Sequence, residues 1–343
     1  MRKSILGALI SSAFALSGTA HAGLVLDLNG SLAGGVIEAD ALDWSPTSFL
    51  AKGGNTAINN FVGTGGACGG GACEFDVLTH ARLTGYSPTG GGGSIGIPGG
   101  FGEITMVARY TERVSGVSGA GFSASFRSTG AGWLEFYWSP AVDGSDLTGS
   151  GFNNGTLIGR LSGVQTNVLG TFTVDDQVGP LALDGSADGN DYAGQLTVTG
   201  NGSQGALAAG TTGIDLDGTF FQTLLSSFSI KYENISIGLP YAVANPSHCF
   251  NPNQSASAVG STGQVSTCDT DAVNGLFSAQ GAETGYTPLI GVVNGDGRSS
   301  PDFIAQTDFN SAVSGAVPEP GSLALVGLAL GAMGFAASRR RRS

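Results

Sequence analysis

Apolar and polar residues alternate with a period of two through residues 74–86 and 102–114. Successive side chains of a β-strand point to opposite faces, so this alternation predicts two strands that each bury one face. The predicted buried residues are Phe75, Val77, Thr79, Ala81 and Leu83 in the first strand, and Ile104, Met106, Ala108 and Tyr110 in the second. Between and beyond these segments, many of the 59 glycines in the 343 residues cluster with Asn and Asp, which predicts frequent turns.

Further segments rich in β-branched, aromatic and leucine residues lie between turn signals and indicate more strands. They are residues 23–29, 121–128, 132–139, 155–163, 168–176, 194–200 and 223–239. Together they predict a mainly β fold, an antiparallel β-sandwich or jelly roll with long glycine-rich loops, such as one over residues 87–100. No internal segment has a sustained helical period, although residues 219–228 could hold a short helix.

The first 22 residues have the three parts of a secretory signal peptide. Arg2 and Lys3 precede the apolar residues 5–18, and Ala20 and Ala22 form a small-residue cleavage site. We expect cleavage after Ala22 and export of the rest of the chain. The alternative, a buried N-terminal core helix, does not explain the order of these parts.

The C-terminal tail combines a short motif, an apolar segment and a basic end. Pro318, Glu319 and Pro320 precede the uncharged residues 322–338, which are followed by Arg339, Arg340, Arg341 and Arg342. As one apolar helix, the uncharged segment would rise about 25 Å, close to the thickness of a bilayer core. The four arginines would stay on the cytoplasmic side and stop translocation, so residues 23–317 would lie outside the inner membrane.

This tail resembles the PEP-CTERM sorting signal of Gram-negative bacteria, which has the same three elements in the same order. The resemblance implies recognition by an exosortase, a membrane-embedded cysteine transpeptidase, with removal of the tail helix and release or re-attachment of the body. It implies an intermediate held transiently in the inner membrane, then a place on the cell surface or in the extracellular matrix. It also implies a host that makes extracellular polysaccharide. The alternative, a plain tail anchor, would not require Pro-Glu-Pro.

The predicted organisation therefore has four parts. Residues 1–22 are the signal peptide, 23–244 a β-sandwich body, 245–316 a loop-rich extension stapled by cysteines, and 317–343 the sorting tail. The extension is rich in Asn, Ser, Gly and Ala, and a separate small domain is the alternative there.

Charge limits the partners of the exported chain. The sequence has 14 Lys and Arg against 26 Asp and Glu, and without residues 1–22 and 317–343 it has eight against 25. Nucleic acids and anionic membranes require a basic surface, so neither is an expected partner, whereas calcium is compatible with this charge. A mean hydropathy of +0.16 argues against disorder.

Four cysteines lie in the exported part: Cys68, Cys73, Cys249 and Cys268. An even number in an oxidising compartment favours disulfides. Of the three possible connectivities we expect Cys68 with Cys73 and Cys249 with Cys268, because each pair then closes its own Gly- or Asn-rich loop. Zinc is the alternative, but the spacing of the first pair differs from that of common zinc knuckles.

Four aromatic residues fall within residues 133–138. As a strand, this segment places Trp133, Glu135 and Tyr137 on one face, opposite three core residues. An indole, a carboxylate and a phenol in a row can stack on a sugar ring and accept hydrogen bonds from its hydroxyls. Trp133, Glu135 and Tyr137 are therefore candidate sugar-binding residues. The alternative is that both faces of this strand are buried in the sandwich.

No catalytic residue or cofactor can be assigned. The exported part contains only His80 and His248, and the sequence lacks serine-nucleophile, zinc-protease and phosphate-loop motifs. Asn294 and Asp296 stand at ligand positions of a calcium loop, but Phe303 occupies a position where an acid is required. They are weak calcium candidates, and a solvated turn is the alternative.

Two classes of function remain. The first is an exported, exosortase-processed, non-catalytic surface or extracellular-matrix protein that acts in polysaccharide-associated adhesion, biofilm or floc formation. Residues 135–163 are similar to segments of flocculation-associated members of the PEP-CTERM group. The second is a secreted polysaccharide-modifying, glycosidase-like enzyme, whose two carboxylates the sequence does not single out among 25 acids. We expect the first class and no enzymatic activity.

Overall fold

The computed structural model describes residues 23–118, 123–129, 132–145, 149–166, 170–181, 195–203, 207–209, 213–223, 225–236, 250, 256–263 and 303–315. This part of the chain has one helix, α1 (Gly54–Gly63), and fourteen strands. The strands are β1 Leu24–Asp27, β2 Val36–Lys52, β3 Glu74–Pro88, β4 Ile95–Gly96, β5 Glu103–Ser118, β6 Ser123–Ser128, β7 Gly132–Ser139, β8 Thr156–Thr166, β9 Gly170–Leu181, β10 Gln195–Ser203, β11 Leu207–Ala209, β12 Ile214–Leu216, β13 Leu225–Ser236 and β14 Phe303–Gly315. The predicted mainly β fold is confirmed.

The two alternating segments form β3 and β5, which pair with each other. The nine residues predicted to point inward are all buried, and all but Thr79 are apolar. The antiparallel register runs from Glu74 opposite Arg113 to Arg82 opposite Thr105. Because residues directly opposite share a face, Arg82 lies on the outer face beside the start of β5.

All strand pairings in the described residues are antiparallel, and they join the fourteen strands into one sheet. The strands follow the order β10-β9-β6-β5-β7-β8-β11-β13-β14-β2-β3-β4, with β1 and β12 paired at the sides. β3 also pairs with β5, and β10 with β13, so the sheet curls round and closes on itself. Its inner face encloses the hydrophobic core.

The core brings together strands that are not neighbours in the sheet. Trp44 of β2 stacks on Phe136 of β7 with 5.6 Å between ring centroids, and both rings are buried. The indole Nε1 of Trp44 donates a hydrogen bond to Ser311 Oγ of β14. Replacing a buried Trp or Phe by Ala typically costs about 3 to 5 kcal/mol, so these rings contribute strongly to holding the curled sheet together.

The helix α1 was not expected from the sequence. Its Gly, Asn and Thr residues have low helix propensity, so tertiary packing must stabilise it. Ala57 is buried against the core, and its amide donates to the carbonyl of Gly53. The short helix considered for residues 219–228 is wrong, because Phe221 forms a β-bridge with Leu26 and β13 begins at Leu225.

Strand β14 lies within the segment that we expected to be loop-rich. It pairs with β13 on one side and β2 on the other, and so completes the curled sheet. Its buried positions include Thr307 and Ser311 beside Ala305 and Val313. A buried face that is half polar produces no apolar alternation, which explains why the sequence did not predict this strand.

The glycine-rich loop predicted for residues 87–100 is shorter than expected. β3 continues to Pro88, and the two-residue β4 pairs with Gly85 and Tyr86. Within the part of the chain that the structure describes, no helix has both the length and the apolarity needed to cross a membrane. The predicted signal peptide and the predicted apolar helix at residues 322–338 lie outside the described residues.

Candidate functional site

The three candidate sugar-binding residues lie on the outer face of β7, but this face is covered. Glu135 and Tyr137 are each 1% exposed, and Trp133 is half-buried. The Tyr137 hydroxyl donates to Glu135 Oε2, and the Arg160 guanidinium of β8 lies 2.6 Å from Glu135 Oε1. Both carboxylate oxygens of Glu135 therefore have a polar partner within the protein. For Glu135 and Tyr137 the structure agrees with the alternative interpretation, in which both faces of this strand are buried.

The cover consists of residues 149–155 and 256–263. Phe152, Leu157 and Ala256 pack with Val107 and Tyr137 in a second hydrophobic cluster outside the sheet. Arg160 Nη2 also donates to the carbonyl of Ala256 at 2.6 Å, which ties the covering segment to the ion pair. Period-two alternation does not reveal such a cover, because it reports only which residues share a face.

Burial governs the titration of the groups beneath this cover. It raises the pKa of Glu135, and the hydrogen bonds from Tyr137 and Arg160 offset only part of the effect. His80 of β3 is stacked against Phe152 and Phe250, with ring centroids 4.0 and 5.1 Å away. Burial lowers the pKa of His80 to about 3, so this histidine is a neutral core residue at physiological pH.

A second buried carboxylate on the outer face, Glu103 at the start of β5, has a different environment. It is 5% exposed, and its Oε1 accepts hydrogen bonds from the backbone amides of Asp143 and Gly144, both at 2.9 Å. Its Oε2 has almost no surface open to solvent and no hydrogen-bond partner within the geometric limits among the described residues. The nearest cation is Arg82 Nη1 at 4.0 Å, beyond hydrogen-bond range.

The pKa of Glu103 is raised, chiefly by burial. The amides of Asp143 and Gly144 lower it in part, and the neighbouring Asp143 carboxyl raises it further. An unmatched oxygen on a buried carboxylate is unfavourable, because the group has lost water without gaining a full set of donors.

Glu103 and Arg82 line a cavity of about 240 Å³ that opens to solvent. They are its two charged side chains, and they stand beside apolar residues on the walls: Leu28, Leu83, Ile97, Pro98, Phe101, Ile104 and Val142. Val142 is 67% exposed, so the mouth of the cavity has an apolar rim. A concave site with apolar walls and a few polar groups is the usual form of a small-molecule site.

One wall of the cavity depends on a glycine. Gly102 has φ +79°, and a Cβ there would lie 2.2 Å from the carbonyl oxygen of Ser139. This close approach lets Phe101 lie over the end of β7, where its carbonyl accepts a hydrogen bond from Trp138 Nε1 at 2.9 Å. No side chain other than hydrogen fits at this position.

Sequence reasoning did not identify Arg82, Phe101 and Glu103 as a group. Arg82 and Glu103 come together only through the register of β3 and β5, and Phe101 only through the turn at Gly102. The one signal in the sequence is that Arg82 and Glu103 fall on the predicted outer faces of the two alternating segments.

The remaining predicted sites are only partly within the described residues. Cys68 and Cys73 form a disulfide with their Cα atoms 5.8 Å apart. Cys249 and Cys268, the calcium candidates Asn294 and Asp296, the signal cleavage site and the sorting motif lie outside the described residues. Among the residues that the structure does describe, no three His, Cys, Asp or Glu side chains are grouped to hold a metal ion.

Comparison with known protein families found the PEP-CTERM protein-sorting motif at residues 316–342. Comparisons with curated proteins and with solved structures found no significant match. The matched residues include Pro318, Glu319, Pro320 and the four terminal arginines, as the sequence resemblance implied. The motif indicates exosortase processing, export and membrane-associated sorting to the cell surface. The chain is therefore a protein with a PEP-CTERM sorting signal.

Proposed function

We propose that this protein is a non-catalytic component of the cell surface or extracellular matrix that adheres to extracellular polysaccharide and acts in biofilm or floc formation. The sorting motif at residues 316–342 is the observation that carries the proposal, because it directs the body to the compartment where such polysaccharide accumulates. The signal peptide predicted at residues 1–22 supports the same route.

The composition of the body agrees with this role. Charged residues are only 12% of the sequence and glycine is abundant, so much of the surface consists of backbone, hydroxyl and small apolar groups. Such groups suit contact with a neutral, hydroxyl-rich polymer. The cavity at Glu103 and Arg82 supplies a concave place for that contact.

Processing is tested by the intact mass of protein recovered outside the cell. We expect the recovered chain to end between residues 317 and 321, without the apolar segment and the four arginines. The double variant Pro318→Ala with Glu319→Ala should stay in the cell membrane fraction, because the motif for the exosortase is lost. Recovery of the exported form with its terminal arginines would contradict processing.

Adhesion is tested by mixing the purified exported protein with extracellular polysaccharide from its host and sedimenting the polymer. We expect the protein to be retained on the polymer without release of reducing sugar. A host strain lacking this protein should form weaker biofilm or floc, and re-expression should restore it. If the protein stays in solution at every polymer concentration, adhesion to polysaccharide is ruled out.

A second candidate function is a glycosidase-like enzyme, and Glu103 is the observation that favours it. Burial raises the pKa of the Glu103 carboxyl, and a raised pKa is also a property of the general acid of glycosidases. The sedimentation experiment separates the two functions. Release of reducing sugar that disappears in Glu103→Gln would establish the enzyme and exclude a purely adhesive role.

A further inference from the structure

We infer that a second cavity, beside α1 and the strands β5 and β6, binds an anionic sugar unit of the polysaccharide through Arg113 and Arg127. The inference rests on the proposed function and adds to it a binding site and the charge of one bound unit. Most of the surface suits neutral units of the polymer, and this cavity adds a place for a charged one. Its basis is a pair of exposed arginines that face each other at a cavity in an otherwise acidic chain.

The two arginines form a locally positive place. Arg113 of β5 lies directly opposite Arg127 of β6 in the antiparallel register, so the two share a face with their Cβ atoms about 5 Å apart. Like charges in this arrangement repel each other. Carboxylates lie within 4.0 Å of three other arginines: Arg82, Arg109 and Arg160. Within the described part of the chain, neither Arg113 nor Arg127 has such a partner, so an anion placed between them would relieve the repulsion.

Acids far outnumber bases in this chain, which makes the missing partners informative. The exported part has 25 acids and eight bases, so a cation at a random place on the surface would usually have a carboxylate near it. Glu74 of β3 lies opposite Arg113 on its other side, yet no ion pair joins these two described residues. The pair at Arg113 and Arg127 therefore keeps its charge available for a ligand.

Both guanidinium groups are open to solvent and can donate to a ligand. Arg127 is exposed, and among the described residues its side chain has no hydrogen-bond partner. Arg113 is also exposed and uses only part of its donor set, because its Nη2 donates to the carbonyl of Cys68 at 2.8 Å. Cys68 is held by its disulfide with Cys73, whose carbonyl accepts from the amide of Val114 at 3.0 Å. The disulfide loop thus orients Arg113 before a ligand arrives, which lowers the entropy cost of binding.

The cavity has the size and walls for a sugar. Its volume is about 440 Å³, within the range of roughly 300 to 1,000 Å³ that is common for small-molecule sites. Phe61 of α1 is half-buried in one wall and offers apolar surface to the C–H face of a sugar ring. Ser115 and Thr129 line the cavity beside the arginines. Their hydroxyls can exchange hydrogen bonds with those of a sugar, since Ser115 Oγ donates to the carbonyl of Ser125 and can still accept.

The arrangement selects an anionic sugar over a neutral sugar or a nucleic acid. Planar guanidinium groups bind carboxylates and other oxyanions through paired hydrogen bonds that are stronger than those to neutral groups. A nucleic acid carries a phosphate at every nucleotide and requires a stripe of cations, whereas a single pair suits one charged unit in a polymer. The carboxylate of a uronic acid and the ester of a sulfated sugar share this chemistry, and the probes below distinguish them.

The test is titration calorimetry of the purified exported protein with matched charged and neutral oligosaccharides. Trigalacturonate is compared with its methyl ester, and a sulfated dextran oligosaccharide with the same oligosaccharide before sulfation. We expect at least one charged probe to bind about tenfold more tightly than its neutral counterpart, and the pair that shows this identifies the acidic group. Raising the salt from about 0.05 to 0.5 M should weaken the binding, because it screens the attraction to the arginines. Repulsion by the net negative chain alone would give the opposite trend.

Variants locate the binding at the two arginines. Arg127→Gln and Arg113→Gln should each bind the charged probe about tenfold more weakly, as expected for loss of a hydrogen bond between charged groups. Arg127→Lys keeps the charge but loses the planar fork, so its affinity should fall between those of the wild type and Arg127→Gln. Arg109→Gln is the matched control, because it makes the same change on the same strand in an arginine paired with Asp76 away from the cavity. It should bind like the wild type.

The outcomes separate the inference from the proposed function. If the host polysaccharide retains the wild type while no charged probe binds better than its neutral counterpart, the inference is wrong and adhesion stands. If Arg109→Gln weakens binding as much as Arg127→Gln, the attraction is spread over the surface and the cavity is not the site. If the charged probe binds through the two arginines but the host polysaccharide retains no protein, the site stands and the proposed function fails.

Discussion

Glu135 and Glu103 lie on the same outer face of neighbouring strands, β7 and β5, and burial raises the pKa of both. They differ in their partners. Glu135 has Tyr137 and Arg160 on its two oxygens and lies beneath a covering segment. Glu103 has two amides on one oxygen, no partner on the other within the described part of the chain, and a cavity beside it. A buried carboxylate with partners on both oxygens helps to stabilise the fold, whereas one with partners on a single oxygen keeps a buried charge at a cost in stability.

The largest effect should come from removing the phenol that covers Glu135. Tyr137→Ala should lower the free energy of unfolding by about 3 to 5 kcal/mol, because it empties a buried site. Tyr137→Phe keeps the ring and should cost about 1 to 2 kcal/mol, the cost of one missing hydrogen bond to a buried group. Urea unfolding of the three proteins measures both values. Equal losses for Ala and Phe would show that the ring itself contributes little.

Replacing each glutamate by glutamine compares the two sites directly. Glu135→Gln should cost about 3 kcal/mol, since it leaves Arg160 without its counter-charge in a largely buried place. Glu103→Gln should change stability at neutral pH by less than about 1 kcal/mol, because Gln keeps the acceptor for the amides of Asp143 and Gly144 and removes a poorly matched charge. If both variants lose the same stability, the distinction between the two sites is wrong.

The predicted disulfide between Cys249 and Cys268 would enclose Phe250 and residues 256–263, which help to cover Glu135. Replacing both cysteines by serine should cost about 3 kcal/mol on a chain-entropy estimate for a loop of this length. It should also make the fluorescence of Trp133 more accessible to quenchers. Peptide mapping without reduction checks the pairing, and free thiols at either position would refute it.

The smallest effect is a difference in pH dependence. The folded-state pKa of Glu103 is raised above its ordinary value of 4.5, so the folded chain binds this proton more tightly than the unfolded chain. The stability that it contributes is present below about pH 4.5 and is lost as pH rises through the folded pKa. Wild type should therefore lose stability relative to Glu103→Gln as pH increases from 4 to 8. Melting curves at several pH values measure this, and a constant difference would contradict it.

The sequence predicted the parts of this fold in which burial follows the period of two. β3, β5 and β7 were found because their inward residues are nearly all apolar. β14 was missed because Thr307 and Ser311 are buried on its inward face, and α1 because packing rather than propensity stabilises it. The cavity could not be predicted, since it requires the register of β3 with β5 and the close approach at Gly102. The covering of Glu135 depends in part on residues 256–263, more than 100 positions away and beyond the reach of any local pattern.

The position of β14 has a mechanical consequence. The strand ends at Gly315, directly before the sorting motif, and it is flanked by β13 and β2 on its two sides. Antiparallel hydrogen bonds run perpendicular to the strands, so a pull on the C-terminal end loads them sideways and all at once. If the processed body is attached to the cell through this end, a pulling force on the protein would have to break the hydrogen bonds of β14 with β13 and with β2 at the same time. A strand held in this way resists tension far better than one peeled from the edge of a sheet, one bond at a time.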